Sequence, residues 1–305
     1  MPLQGPVPEW LLSTVAAATL FTVMFDLGLA IVPSEFRWVT QRPALMAKAL
    51  FSVVVAVPAT AWLVARIFEI PRPAEIGIML MAIAPGAPVA LRRSLGAGGH
   101  RSFAPALQIA VAVTAIGSLP LSVAAFDEYY AGQATVDPRQ LARQVFFAQL
   151  LPLALGMLVV RQWPAIAARI EPALRKAGSL LLMLLAALAL IDVYQTVIGA
   201  GWRVGAAIVT ITVLAMAVGH ALGGPEPATR TATAISSAAR NGGLALLTAA
   251  LNNASPAIVA SVLAYFVVSA FTIVPYVFWR RHPVAPRSAP PGEADEKAKE
   301  FQNPR

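Results

Sequence analysis

The chain has 305 residues, of which 58% are hydrophobic and only 12% charged, with a formal net charge of +8 and no cysteine. A soluble domain carries about twice that charged share, so this composition excludes an ordinary water-soluble fold, and the missing cysteines exclude disulfides and thiolate chemistry. The positive balance reads as membrane-loop charge rather than as a nucleic-acid surface.

The apolar residues come in runs such as "LLSTVAAATLFTVMFDLGLAIV" and "AIVASVLAYFVVSAFTIVPYVFW", each close to the ~20 residues a bilayer crossing needs. The first begins near Trp10 behind an uncharged stretch, which predicts a retained span and no cleavable signal. Breaks at Pro, Gly and charge divide the chain into about nine crossings, at roughly 9–32, 43–68, 74–97, 103–126, 140–161, 174–198, 201–223, 228–251 and 256–279. With that number, Arg37, Arg42, Lys48, Arg92, Arg93, Arg101, Arg161, Arg169, Arg175, Lys176, Arg230, Arg280 and Arg281 fall on the C-terminal side of the membrane. Only Arg66, Arg72, Arg139, Arg143 and Arg203 fall on the other. The bias predicts an outside N-terminus and a cytoplasmic C-terminus, and the Ala- and Arg-rich composition suggests a bacterial inner membrane. Residues 280–305 lose all apolar periodicity and read as a disordered cytoplasmic tail after a transporter domain spanning 1–279.

Two of the expected spans are interrupted. Pro85-Gly86-Ala87-Pro88 sits in the middle of the third, where two prolines remove backbone donors around a glycine. Asn241-Gly242-Gly243 interrupts the eighth with residues that tolerate non-helical backbone. One further full crossing follows each break, so the two occupy equivalent places in two halves, about 9–126 and 140–279. Matched broken helices point to a transporter site near the bilayer midplane.

The residues carrying these breaks resemble those of the bile acid:sodium symporter family. "VMFDLGLAIVPSEFRWVTQRP" is similar to a family segment with the framework Gly28, Leu29, Pro33, Phe36 and Pro43; "MAIAPGAPVAL" and "RNGGLAL" resemble its two helix breaks. The resemblance implies an all-α polytopic membrane protein of inverted repeats, with two discontinuous helices crossing inside a core domain (spans 2, 3, 4, 7, 8 and 9). Spans 1, 5 and 6 would form a panel, with substrate between core and panel. It implies a small organic-anion substrate, bile-acid-like or a small carboxylate, and identifies the chain with nine-helix members that lack a first helix.

The family's sodium sites use oxygen-bearing side chains around the breaks, as a hard cation requires. Here those positions are Ala90, Leu91, Ala104, Gln108, Ser236 (beside Ser237) and Arg240, and only Asn241 matches. Arg240 within a span must face the protein interior or water and find partners. It would act either as a tethered cation that replaces sodium or as a fork presented to an anionic substrate. Asp26 and Asp192 lie inside other spans as candidate proton carriers or partners for Arg240. Arg92 and Arg93 follow the first break and are assigned to the cytoplasmic end by snorkelling, with anion attraction as the alternative. His220 is either a titrating or a packing histidine.

The leading expectation is a secondary transporter of an organic anion with no cofactor, coupled to H+ in preference to Na+. Two alternatives are a ligand-binding sensor that keeps the transporter fold and a metalloid efflux carrier, although the latter typically depends on a cysteine. An intramembrane enzyme is disfavoured: His100, His220 and His282 form no His-Glu-x-x-His motif, and Asp26 and Asp192 lack protease signatures.

Overall fold

The computed structural model describes residues 7–30, 41–129, 138–200, 202–251 and 254–281. Most of the expected tail, 282–305, and the Pro33 and Phe36 of the first motif lie outside the described residues. Every described element is helical. In chain order they are α1 (Glu9–Ala30), α2 (Pro43–Ile67), α3 (Arg72–Ile83), α4 (Pro88–Gly96) and α5 (Phe103–Tyr129). Three consecutive segments, Pro138–Val145, Phe146–Leu150 and Leu151–Gln162, make up α6. There follow α7 (Pro164–Ala200), α8 (Trp202–Leu222), α9 (Pro227–Ala238), α10 (Gly242–Leu251), α11 (Pro256–Thr272) and α12 (Val274–Arg280).

Among the described residues, six helical stretches are long and apolar enough to cross a bilayer: Trp10–Ala30, Pro43–Ile67, Phe103–Phe126, Leu141–Gln162, Trp202–Leu222 and Pro256–Arg280. The pair α3–α4 makes a seventh if it is one span, bent by 66°. Large apolar side chains project outward from them, including Trp62 and Leu63 of α2, Leu121 of α5 and Phe278 near the end, as a lipid-facing surface requires. The chain is therefore an all-α, multi-pass membrane protein. The remaining expected crossings fall in α7 and in the α9–α10 pair. Apolarity does not mark α9, because Thr229, Thr231, Thr233, Ser236 and Ser237 are all buried inside the protein rather than turned to lipid.

The helices pack in two groups. In one, α1 lies against α6 and α7. In the other, α8 packs on α9, α11 and α2, α3 on α11 and α2, and α5 on α4 and α9. The expected panel spans fall in α1, α6 and α7, and the expected core spans in α2–α5 and α8–α12. The groups touch where α1 meets α10 and α4, where α7 meets α11 and where α5 meets α6. Hydroxyls inside this apolar interior satisfy themselves locally: Thr212, Thr233 and Thr248 each donate to the carbonyl four residues back, at 2.7–2.9 Å.

The sequence motif around Gly28 now has a physical reason. A Cβ on Gly28 would lie 2.2 Å from the Leu153 carbonyl, and one on Gly156 would lie 2.2 Å from that of Phe25. At this crossing α1 and α6 meet backbone to backbone, as small residues allow between membrane helices. Gly156→Leu should therefore drive the two helices apart. The expected result is loss of the monodisperse peak on size-exclusion chromatography in detergent, while Gly117→Leu, at a position with open space around it, leaves the peak in place.

Two helices contain a π turn, Ser52–Ala56 in α2 and Phe146–Leu150 in α6. In each, the residue after the turn bonds five residues back, Val57 to the Ser52 carbonyl and Leu151 to that of Phe146. The next residue is a proline, Pro58 or Pro152, with no N–H to take up the following carbonyl. The carbonyls of Val53 and Phe147 are thereby released from the ladder, and π turns of this kind often mark functional sites.

Candidate functional site: the crossing of the two broken helices

The break between α3 and α4 spans Ala84, Pro85, Gly86 and Ala87; Pro88 opens α4, and Gly86 stands at φ +81°, where a side chain would be strained. The break between α9 and α10 spans Ala239, Arg240 and Asn241, with Gly242 and Gly243 opening α10. The two breaks bind each other directly. The Asn241 N–H donates to the Ala84 carbonyl at 3.0 Å, and its side-chain Nδ2 donates to the Gly86 carbonyl at 3.3 Å. The same side chain's Oδ1 accepts the Leu244 N–H at 3.1 Å and so caps α10. Asn241 thus satisfies backbone groups of both breaks at once, which membrane depth demands.

Arg240 is 4% exposed and holds the crossing from the other side. Its Nε donates to the Met81 carbonyl at 3.3 Å, and Nη2 donates to that of Ala82. Nη1 donates to the carbonyls of Val53 at 3.0 Å and Ser237 at 3.5 Å. Met81 and Ala82 end α3, Ser237 ends α9, and Val53 is the carbonyl the π turn releases. Helix C-termini carry partial negative charge and orphan carbonyls, so a cation belongs at their convergence, and the guanidinium occupies it. The Arg240 guanidinium is held by these carbonyls, and the residue also lines a cleft at the crossing. Among the described residues its partners are backbone carbonyls, and Asp26 is not one of them.

Asp26 instead pairs with Arg92, the residue the sequence assigned to snorkelling. The correction has a geometric cause: α4 starts at the break and lies against α1, so Arg92 reaches a carboxylate that is only 2% exposed. The pair joins panel to core, and the second carboxylate oxygen of Asp26 is buried without a partner. Asp192 lies in α7, and its side chain falls outside the described residues. Ser236 is buried; the Ser237 hydroxyl pairs with that of Ser52 in the π turn at 2.8 Å. Gln108 is buried beside Gly86. His220 contacts the Tyr276 hydroxyl at 2.8 Å.

A cleft of about 30 Å³ lies at the crossing, between Ala87, Pro88 and Val89, the stretch Arg240–Gly243, Phe266, and the panel residues Thr19, Leu20, Val23, Leu182 and Leu185. It shares Val89, Leu182, Arg240 and Phe266 with a neighbouring cavity of about 450 Å³. That larger cavity is walled mainly by apolar side chains of α7, α11 and α12, with Arg93 and Ser269 as its polar members beside Arg240. The N-termini of α4 and α10 both begin at the cleft. Arg93 therefore stays with the site, whereas Arg92 is turned to the panel.

Sequence reading missed Gln149, which faces Gly86 from α6, and the two π turns. The signals were present in Pro58 and Pro152, each inside an apolar run. Among the described residues no group of three metal-binding side chains comes together.

The chain is similar to proteins named sodium-dependent organic anion transporter from Mus musculus (26% identical, over 72% of this chain and 58% of that protein) and Rattus norvegicus (24%, over 72% and 59%). It is also similar to the Homo sapiens P3 protein (25%, over 48% and 31%). The chain spans about six-tenths of the length of the two organic anion transporters it matches. The family model described as Sodium Bile acid symporter family matches residues 17–200, more than half of the chain, and takes in most of α1 and the first break. The chain belongs to the sodium bile acid symporter family.

Proposed function

We propose that this protein is a secondary carrier of a small organic anion, and a carrier rather than an enzyme. The observation that carries the reading is the crossing itself: two broken helices bind each other through Asn241, and the N-termini of α4 and α10 open on a cleft against the panel. Helix N-termini present free N–H groups and partial positive charge, which favour a carboxylate or sulfate. The apolar 450 Å³ cavity beside the cleft suits the body of such an anion, and Arg93 adds a positive charge at its wall. The printed name of the two transporters similar to this chain supports the same substrate class. Movement of the core against the panel would expose the cleft to each side in turn, with the N-terminus outside and the C-terminus in the cytoplasm of a bacterial inner membrane.

In this reading Arg240 stands where a coupling cation would. The guanidinium neutralises the two helix C-termini permanently, so transport has no need of sodium. Coupling passes instead to a proton at Asp26: when the acid is charged it holds Arg92 and locks core to panel, and when it is neutral the lock opens.

The test is uptake of radiolabelled organic anions into proteoliposomes, in NaCl or choline chloride, with and without an inward pH gradient. Uptake should be the same in both salts and faster with the gradient. Steep sodium dependence would sink the sodium-free reading. Binding of an anion without any flux would favour a sensor over a carrier.

A further inference from the structure

Arg92 and Arg93 are neighbours in α4 with different surroundings. Successive residues of a helix point about 100° apart, so while Arg92 turns to Asp26 on the panel, Arg93 turns into the wall of the 450 Å³ cavity. Its guanidinium is partly buried and, among the described residues, makes no hydrogen bond or ion pair. The other cation at this cavity, Arg240, is already committed to four backbone carbonyls. Apart from Ser269, the remaining lining side chains are apolar. An unpaired charge against apolar surroundings is costly, and a charge inside a membrane protein has a partner or marks a ligand path. Arg93 has the cavity in place of a partner, so it calls for an anion.

The charges around the cavity fix how many anionic groups fit. The Arg240 guanidinium faces the C-termini of α3 and α9, each worth about half a negative charge, which leaves the crossing close to neutral. The N-termini of α4 and α10 present about half a positive charge each to the 30 Å³ cleft, and one carboxylate or sulfate there balances both. Arg93 is left over. The C-terminus of α4, at Gly96, offsets at most about half of its charge. The two positive points are also separate in space: α4 opens at Pro88 beside the cleft, and Arg93 lies five residues on, about 7–8 Å along the helix axis. Between them the wall is apolar, with Val89 and Phe266 lining both cleft and cavity.

We propose that the carried anion is a dianion, an apolar body with an acidic group at each end, one seated at the cleft and the other held by the Arg93 guanidinium. The proposal rests on the carrier reading above and adds to it the number and spacing of the substrate's charges. Arg93 is the specificity-determining residue: its planar fork takes a carboxylate through two parallel hydrogen bonds. A monoanion seated at the cleft leaves that fork empty, and so does a dianion too short to cross the apolar wall.

The experiment measures binding of suberate and of its monomethyl ester, matched in length and different by one charge, to the purified full chain in nanodiscs. The buffer is free of chloride, so that no small anion occupies Arg93. In the wild type suberate should bind about tenfold tighter than the ester, the worth of one charged hydrogen-bonded contact. Succinate, too short to span the two points, should show no such gain over its own monoester. In Arg93→Met the suberate-to-ester ratio should fall to about one, and in Arg93→Lys, which keeps the charge without the fork, it should lie between. A ratio of one in the wild type, or a preference that survives Arg93→Met, overturns the proposal. Stability gives the second arm: because Arg93 has no partner in the empty protein, Arg93→Met should melt at or above the wild-type temperature without ligand. A clear fall in Tm would reveal a structural partner and overturn the assignment. If the monoesters bind and suberate binds no tighter, the carrier reading stands and only the dianion falls; if nothing in the series binds, both fall.

Discussion

Arg240→Gln should cost at least about 3 kcal/mol of stability and abolish transport. The wild-type guanidinium makes four hydrogen bonds to carbonyls of three helices, all away from water. A glutamine amide reaches one or two of them and leaves the rest unsatisfied, at about 1–3 kcal/mol for each buried acceptor. It also removes the positive charge that faces the two helix C-termini. In a protein of this size the loss corresponds to a fall in Tm on the order of 10 °C, measurable by thermal shift in detergent. The same variant separates two causes. It restores an uncharged carbonyl cage suited to a hard cation, so NaCl should raise its Tm relative to choline chloride and leave the wild type unmoved. A variant as stable and as active as wild type would remove Arg240 from both structure and mechanism.

Asp26 and Arg92 should respond unequally to substitution, although they form one ion pair. Asp26 is 2% exposed and Arg92's side chain 38% exposed. Removing the acid leaves an arginine that water can solvate. Arg92→Ala leaves a carboxylate buried without its partner, the more expensive defect, typically about 3–5 kcal/mol for a broken buried pair before relaxation and protonation reduce it. Arg92→Ala should therefore lower Tm clearly more than Asp26→Asn. In transport the order reverses in kind: Asp26→Asn should fold well and lose the response of uptake to a pH gradient, because the residue that binds the proton is gone. If Asp26→Asn keeps a full pH-gradient response, the proton travels by another group; Asp192, on α7, is the next to substitute.

The amino-acid sequence by itself determined the material of this protein. Runs of apolar residues about as long as a bilayer is thick can only be membrane helices, and α2, α8 and the α11–α12 span begin and end within a residue or two of where Pro, Gly and charge predicted. The two breaks were equally legible, because proline and paired glycine act on the backbone locally, whatever surrounds them. In α7 the local signals misled: the helix starts at Pro164, ten residues before the predicted span, and carries Pro172 within it. The apolar run marks only the part of that helix suited to lipid, and an amphipathic extension outside it adds no hydropathy signal.

Tertiary structure alone decided the partners. Sequence placed a cation, two acids and Gln108 inside the membrane, and the requirement that buried charges be paired said only that partners exist. It could not choose between carbonyls and carboxylates for Arg240, since the Val53 carbonyl becomes available only through the register of a π turn and the geometry of a crossing 187 residues away in the chain. Nor could it pair Asp26 with Arg92 or bring Gln149 to Gly86. Those contacts join panel to core, and their distances are set by how whole helices pack, with Gly28 on Gly156 fixing how closely α1 and α6 approach.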